Sequence, residues 1–248
     1  MFFESRIDPP SVSEAYQECA RLFLAGKVRQ ARQHATQLRS AGGPRTPEDF
    51  LLCSDISRAG GFHREYFGTI KMARKKHPHD RRVYFESLRE RSVRGYLLDS
   101  LRKCQELLDN SANGDRPLIL GLMASGFAQV GLRDRAKETF KRISELGEIT
   151  DAKIWYELAY GSLCLRLWDE AIERSRRAVE MAPSWPRARL FLAQALLARG
   201  RETECRSVVQ EGLAAGIDDA NLELMAAFYA LNLGKHETAL TLFSNYQY

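Results

Sequence analysis

The stretch AKIWYELAYGSLCLRLWDEAIERSRRAVEMAPS, residues 152–184, holds two apolar stripes in one short span. In its first half Ile154, Trp155, Leu158, Ala159 and Leu163 recur at helical spacing, and in its second half Ala171, Ile172, Ser175, Ala178 and Val179 do the same. Asp169 begins the second helix, where its carboxylate takes orphan amide protons and faces the positive end of the helix dipole. Pro183 stops that helix. With only Leu167-Trp168 linking the halves, the two helices must fold back as an antiparallel hairpin.

Outward from this unit the chain repeats itself. The residue opening each second half is Ala31, Tyr66, Leu101, Ala136, Ala171, Cys205 and Ala239, a spacing of 34 or 35 residues throughout. Shortly before most of these stands a glycine, at 26, 61, 131, 200 and 234, where one apolar run ends and a helix C-cap belongs. Small residues recur where two helices must approach closely: Cys19, Ser54, Ala124, Ala159, Ala193 and Ala227 in the first helices, and Ala31, Ala136, Ala171, Cys205 and Ala239 in the second. The approximate units are 11–45, 47–80, 82–115, 117–150, 152–185, 186–219 and 220–248. The first opens with a capping-box pattern, Ser11-Val-Ser-Glu14. The third is the weakest, because Arg89 falls where a small residue is expected and Gly95 is slightly out of register. Ser111–Asp115 reads as a polar loop.

The pattern Trp155, Leu158-Ala159, Trp168-Asp169-Glu170-Ala171, Ala178 and Pro183 resembles the tetratricopeptide repeat, and the likeness extends over nearly the whole chain. It implies an all-α, right-handed superhelical solenoid of about seven antiparallel helix pairs, one domain spanning 1–248, with first helices lining a concave surface. It also implies a scaffold for protein partners in place of an enzyme.

Composition agrees with that class. Hydrophobic residues make up 44% and charged residues 28% of 248 positions, and no apolar run is long enough for a membrane span. No secretory signal is visible at Met1–Arg6, and five scattered cysteines without a CxxC pair argue against a disulfide framework or zinc site. The expectation is an intracellular, cytoplasmic protein in which Cys19 and Cys205 pack as small apolar residues. Residues 1–115 carry 20 Lys+Arg against 15 Asp+Glu, while 116–248 carry 17 of each. The excess gathers in a basic stretch that includes Lys71, Arg74, Lys75, Lys76, Arg81, Arg82, Arg89, Arg91 and Arg94.

Catalytic and cofactor chemistry finds no purchase: no phosphate loop, no HExxH and no implied Ser/His/Asp grouping are present, and His77-Pro78-His79 offers two metal ligands without a third. No cofactor is expected. The informative surface is the concave one. By helical phase it receives Asp55 and Arg58, then Glu86 and Glu90, and later a strongly apolar set comprising Tyr156, Tyr160, Leu190, Phe191, Gln194, Leu197, Met225, Phe228 and Leu231. Aromatic and methionine side chains on a groove are typical anchors, so Tyr156, Tyr160, Leu190, Phe191, Gln194, Met225 and Phe228 are the candidate partner-binding residues, for an extended peptide or a helix. The same positions lack the Lys and Asn of the clamp with which some tetratricopeptide domains hold an acidic chaperone tail. Two alternatives accompany this reading. One is self-association or complex assembly through a C-terminal end, Phe243–Tyr248, that carries no capping helix. The other is binding of nucleic acid or an acidic surface by the basic stretch, against which the scarcity of stacking aromatics near Tyr84 and Phe85 argues.

Overall fold

The structure, a computed structural model, describes residues 12–110 and 116–244. Ser11 of the expected capping box, the loop 111–115 and the last residues 245–248 lie outside them. A short 3-10 turn, Glu14–Tyr16, leads into fourteen helices: α1 Gln17–Leu24, α2 Val28–Ser40, α3 Pro47–Ala59, α4 His63–Lys76, α5 Arg81–Val93, α6 Leu97–Asn110, α7 Arg116–Gln129, α8 Arg133–Ser144, α9 Ala152–Cys164, α10 Trp168–Met181, α11 Pro186–Ala198, α12 Glu202–Ala214, α13 Ala220–Asn232 and α14 His236–Ser244. Among the described residues there is no strand, and consecutive helices pair as seven hairpins.

Every hairpin turns in the same way. The amide of Lys27 donates to Leu22 O and that of Gly26 to Phe23 O, the paired bonds that close a helix with one left-handed residue. The pattern recurs at Gly61, Gly95, Gly131, Arg166, Gly200 and Gly234. Gly95, which looked out of register, therefore fills the same role as the other glycines, with φ at 92°. In the unit 152–184 the turn position is not a glycine, and Arg166 takes the left-handed conformation at φ 59°.

The reading of Asp169 needs correction. Helix α10 starts one residue earlier, Leu167 stands at its N-cap without a side-chain bond, and the Asp169 carboxylate accepts from Arg199 Nε at 3.0 Å. Carboxylates do cap elsewhere: Asp80 accepts from the Val83 amide, Asp151 from Lys153 and Asp219 from Asn221 and Leu222. A complete capping box forms at Thr46–Asp49, and Asp49 also receives the Ser13 amide and hydroxyl, tying the start of the chain to the second hairpin.

The small-residue positions behave as their pattern requires. Cys19, Ser54, Ala124, Ala193, Ala227, Ala31, Ala136, Ala171, Cys205 and Ala239 are wholly buried, and Ala159 nearly so. The closest inner-helix contact is between α7 and α9, where a Cβ on Gly161 would lie 3.3 Å from Ser125 Cα. Helix α7 is apolar all round, which fits an element enclosed on every side. Arg89 breaks the small-residue rule because its side chain leaves the helix contact and runs to the centre of the molecule.

The superhelix is tight enough for its first turn to meet its last. The Asp218 amide donates to Gly26 O at 3.2 Å, and the Arg29 amide donates to the Asp218 carboxylate at 3.1 Å. The Arg29 guanidinium grips both oxygens of Glu223. Hairpins one and two thus rest against the N-terminal ends of α9, α11 and α13, with Trp185 packed into the N-terminal core.

Candidate functional site

The concave trough divides into a filled part and an open part. In the filled part α3 and α5 face α9. Arg89 donates from Nε to Glu157 at 2.8 Å and from its terminal nitrogen to Glu86 at 2.5 Å, and Ser125 Oγ donates to the other Glu157 oxygen at 2.7 Å. Arg58 donates to Asp55 at 3.0 Å, Lys153 reaches the other Asp55 oxygen at 3.1 Å, and the Tyr66 hydroxyl donates to Glu86 at 3.0 Å. All of these side chains are buried except Lys153, which is largely so. Burial opposes charge on Glu86, but Arg89, Arg58 and Lys153 outweigh it and hold the carboxyl down to about 2. Burial likewise opposes charge on Arg89, and Glu86 and Glu157 overcome it, so the guanidinium stays ionised.

Beside this network lies an aromatic cluster. Tyr156 stacks on Phe191 at 4.9 Å and leans on Trp185 at 5.2 Å, and Tyr160 also stacks on Phe191 at 5.5 Å. The Arg58 guanidinium stands 5.6 Å from the Tyr156 ring and 5.7 Å from that of Trp185. Tyr156 and Phe191 are each only 7% exposed, so these two candidates of the sequence reading are enclosed within the protein, Tyr156 in part by Arg58 of the second hairpin. Neither Trp185 nor the ion network was among the candidates. The signal for the network was present in the sequence as Arg89 in a small-residue slot.

The open part follows the C-terminal ends of α9, α11 and α13. Tyr160, Gln194 and Phe228 stand 34 residues apart, as do Leu163, Leu197 and Leu231, so the two rows cross three successive inner helices at one height. Tyr160, Leu163, Leu190 and Met225 are half-buried, whereas Gln194 is exposed, Leu197 is 49% exposed and Phe228 is 54% exposed.

The basic residues do not share one surface. Lys71 and Lys75 are exposed on α4, Arg74 donates to Pro78 O and covers the Tyr84 ring, and Lys76 reaches Pro44 O. Arg81 is exposed, and Arg82 pairs with Glu48 and Asp80. Arg94, paired with Glu90, is at the opposite end of α5, about 20 Å from Arg82 by helical rise. His77 Nε2 donates to Arg45 O and the ring packs edge-on against Phe50, a structural role. No group of acidic, histidine or cysteine side chains able to hold a metal occurs among the described residues. Of the free cysteines Cys19, Cys53, Cys104 and Cys205 are buried, and Cys205 accepts the Tyr229 hydroxyl at 2.8 Å.

Residues 167–228 match the sequence model of the tetratricopeptide repeat family, and the fold repeats that unit along the described chain. The fold is that of an all-α, tetratricopeptide-repeat-like solenoid. The structure is similar to that of a tetratricopeptide repeat protein from Parabacteroides merdae (TM-score 0.52, 16% identity, covering 94% of this chain and 93% of that one). It also resembles MamA (0.51, 15%, covering 63% and 90%). It is also similar to a chain of the APC/C hetero-tetramer Cut9-Hcn1 (TM-score 0.53, 14% identity, covering 97% of this chain and 46% of that one). No curated protein matches in sequence. These identities establish the fold. The tetratricopeptide-repeat fold in general supports a scaffold role in protein–protein interaction and is generally non-enzymatic. No described helix of this solenoid is long and apolar enough to cross a membrane.

Proposed function

We propose that this tetratricopeptide-repeat protein is a scaffold that takes a partner helix or peptide in the open part of its trough. The observation that carries this is the double row Tyr160–Gln194–Phe228 and Leu163–Leu197–Leu231. Within it Leu197, Phe228 and Leu231 are large apolar side chains left in water on a concave wall, at a spacing that an apolar helix face can follow. Leu190 and Met225 supply adaptable flanks, while Tyr156 and Phe191 support the floor from beneath. Association here leaves the ion network intact, because the N-terminal hairpins occupy the other end of the same helices.

The test is site-specific photocrosslinking in the source cell. A crosslinking residue at 197 or 231 should trap a discrete protein partner that the same residue at Glu180, on the outer face, does not trap. Leu197→Ala combined with Phe228→Ala should then abolish capture of that partner by the purified chain without altering its helical content. Unchanged capture would defeat the reading.

A second reading has its own observation. Leu240 on α14 is exposed, and Phe228 meets Phe243 edge-on at 5.7 Å, so the last hairpin presents an apolar outer flank. Self-association or assembly through that flank is the alternative. Light scattering over a range of concentrations would show it as a Leu240→Arg-sensitive rise in mass, and a constant monomer mass would remove the self-associating form.

A further inference from the structure

We infer that the outer face of α4 is a docking surface for an acidic amphipathic helix of a protein partner. The basic stretch as a whole is divided, but one line within it is a single surface. Arg64, Gly68, Lys71 and Lys75 follow one another at i, i+4, i+7 and i+11, over about 16 Å, on the side of the helix away from buried Tyr66, Ile70 and Ala73. The side chains of Arg64, Lys71 and Lys75 are exposed and make no ion pair or hydrogen bond among the described residues.

The surroundings of this line carry one sign of charge. Between residues 27 and 79 the exposed charged residues are Lys27, Arg45, Arg64, Lys71, Lys75 and Lys76. No carboxylate in that span is exposed: Asp49 and Asp55 are buried, and Glu48 and Glu65 are engaged by Arg82 and Arg32. Helix α2, the outer neighbour of α4, contains no carboxylate at all. A second copy of the chain offers no matching face. Helices α6, α8 and α10 each expose both signs, the two exposed glutamates of α12 stand against Arg206 and Arg189, and α14 holds a single glutamate.

Gly68 is the independent observation. Among glycines inside the described helices, a Cβ on Gly121, Gly126, Gly161 or Gly212 would lie within 4 Å of a neighbour, whereas a Cβ on Gly68 would meet nothing. Packing within the chain therefore gives no reason for the missing side chain, which costs helix stability relative to alanine. The charges on the line act against the helix as well. Arg64 lies in the first turn, at the positive end of the dipole, and Lys71 and Lys75 are like charges at i, i+4. A bare point between Arg64 and Lys71 lets a second helix come to the close end of helix–helix distances, with carboxylates on either side of the contact. Met72, half exposed beside it, adds an apolar contact that a partner helix can meet and a phosphate backbone cannot.

The probe is an alanine-rich helical peptide of about 20 residues, long enough to hold a helix, with glutamate at i, i+7 and i+11 of one face. Its binding to the whole chain is read by fluorescence anisotropy and should weaken as salt rises. A peptide of the same composition with its glutamates spread around the helix should bind at least about five-fold more weakly. Lys71→Glu with Lys75→Glu should lower affinity at least about ten-fold. Gly68→Leu alters no charge and should still lower affinity about ten-fold, by holding the two helices apart, while raising the thermal midpoint. Absence of binding would overturn the proposal. Unchanged affinity in Gly68→Leu, or equal binding of the two peptides, would do the same by reducing the surface to undirected charge. Tighter binding of duplex DNA than of the peptide would make it a nucleic-acid surface instead. The trough variant Leu197→Ala with Phe228→Ala should leave peptide affinity unchanged, and a loss there would place the peptide in the trough and defeat the assignment to α4.

Discussion

The two halves of the inner wall use the same helix register for opposite chemistry. On α3 and α5 the inward positions hold Asp55, Arg58, Glu86 and Arg89, and all four are buried. On α11 and α13 they hold Leu190, Phe191, Gln194, Leu197, Met225 and Phe228, and of these only Phe191 is buried. The polar wall is enclosed and the apolar wall is left in water, the reverse of what hydrophobicity alone would arrange. The charged wall can be enclosed because each charge meets a complement from across the trough: Glu157 and Lys153 on α9 complete the set that α3 and α5 begin. The apolar wall has no such counterpart within the described chain. A surface that departs from the folding rule while its neighbours obey it is where a partner is to be sought.

Removing the central guanidinium should break this contrast most severely. Arg89→Ala strands Glu86 and Glu157 in the interior and is expected to destabilise the protein by about 3–5 kcal/mol in urea unfolding. A loss below about 1 kcal/mol would mean that the charged wall opens to water and is not the enclosed half. Acid should act on the same centre. The Glu86 carboxyl is depressed from 4.5 to about 2 in the folded protein, so its contribution is complete above pH 4.5 and is lost as pH falls through that interval. The expected decline is up to about 3 kcal/mol, and Glu86→Gln should flatten it at the cost of lower stability at neutral pH. A wild-type curve that is flat between those limits would contradict the assignment.

The junction between first and last hairpins should matter less. Asp218→Ala removes the acceptor for the Arg29 amide and should cost about 1–2 kcal/mol. Faster amide hydrogen exchange is expected around α1–α2 and α13, with the central helices unaffected. The smallest effect is expected on the open wall. Leu197→Ser with Phe228→Ser should shift stability by no more than about 0.5 kcal/mol, because both side chains already face water. A larger loss would show that this wall closes over them in solution, and the comparison would fail at its apolar end.

Legibility in the sequence followed the locality of the interaction. The 34- to 35-residue spacing, the turn glycines and the buried alanines all report contacts within a hairpin or with the next one, and they could be read directly. Gly95 and Asp169 were misread for the same local reason: a one-residue shift at a helix end changes a cap into a first-turn residue. The trough was harder. Tyr160, Gln194 and Phe228 share a register visible in sequence, but nothing local distinguishes them from Tyr156, over which Arg58 of a distant hairpin lies, or from Phe191, which is buried beside it. Arg89 was noticed as an anomaly in a small-residue slot, and the anomaly was informative, although its partner Glu157 lies 68 residues away.

By itself, then, the order of residues determined the repeating unit, its helices and the faces on which they stack, because those depend on side-chain periodicity and on backbone conformations available to single residues. The superhelical closure was decided only in three dimensions. Whether Arg29 finds Glu223, Arg89 finds Glu157 and Arg58 covers Tyr156 depends on small rotations accumulated over several hairpins. That accumulated rotation sets which inward residues become core and which remain open to a partner.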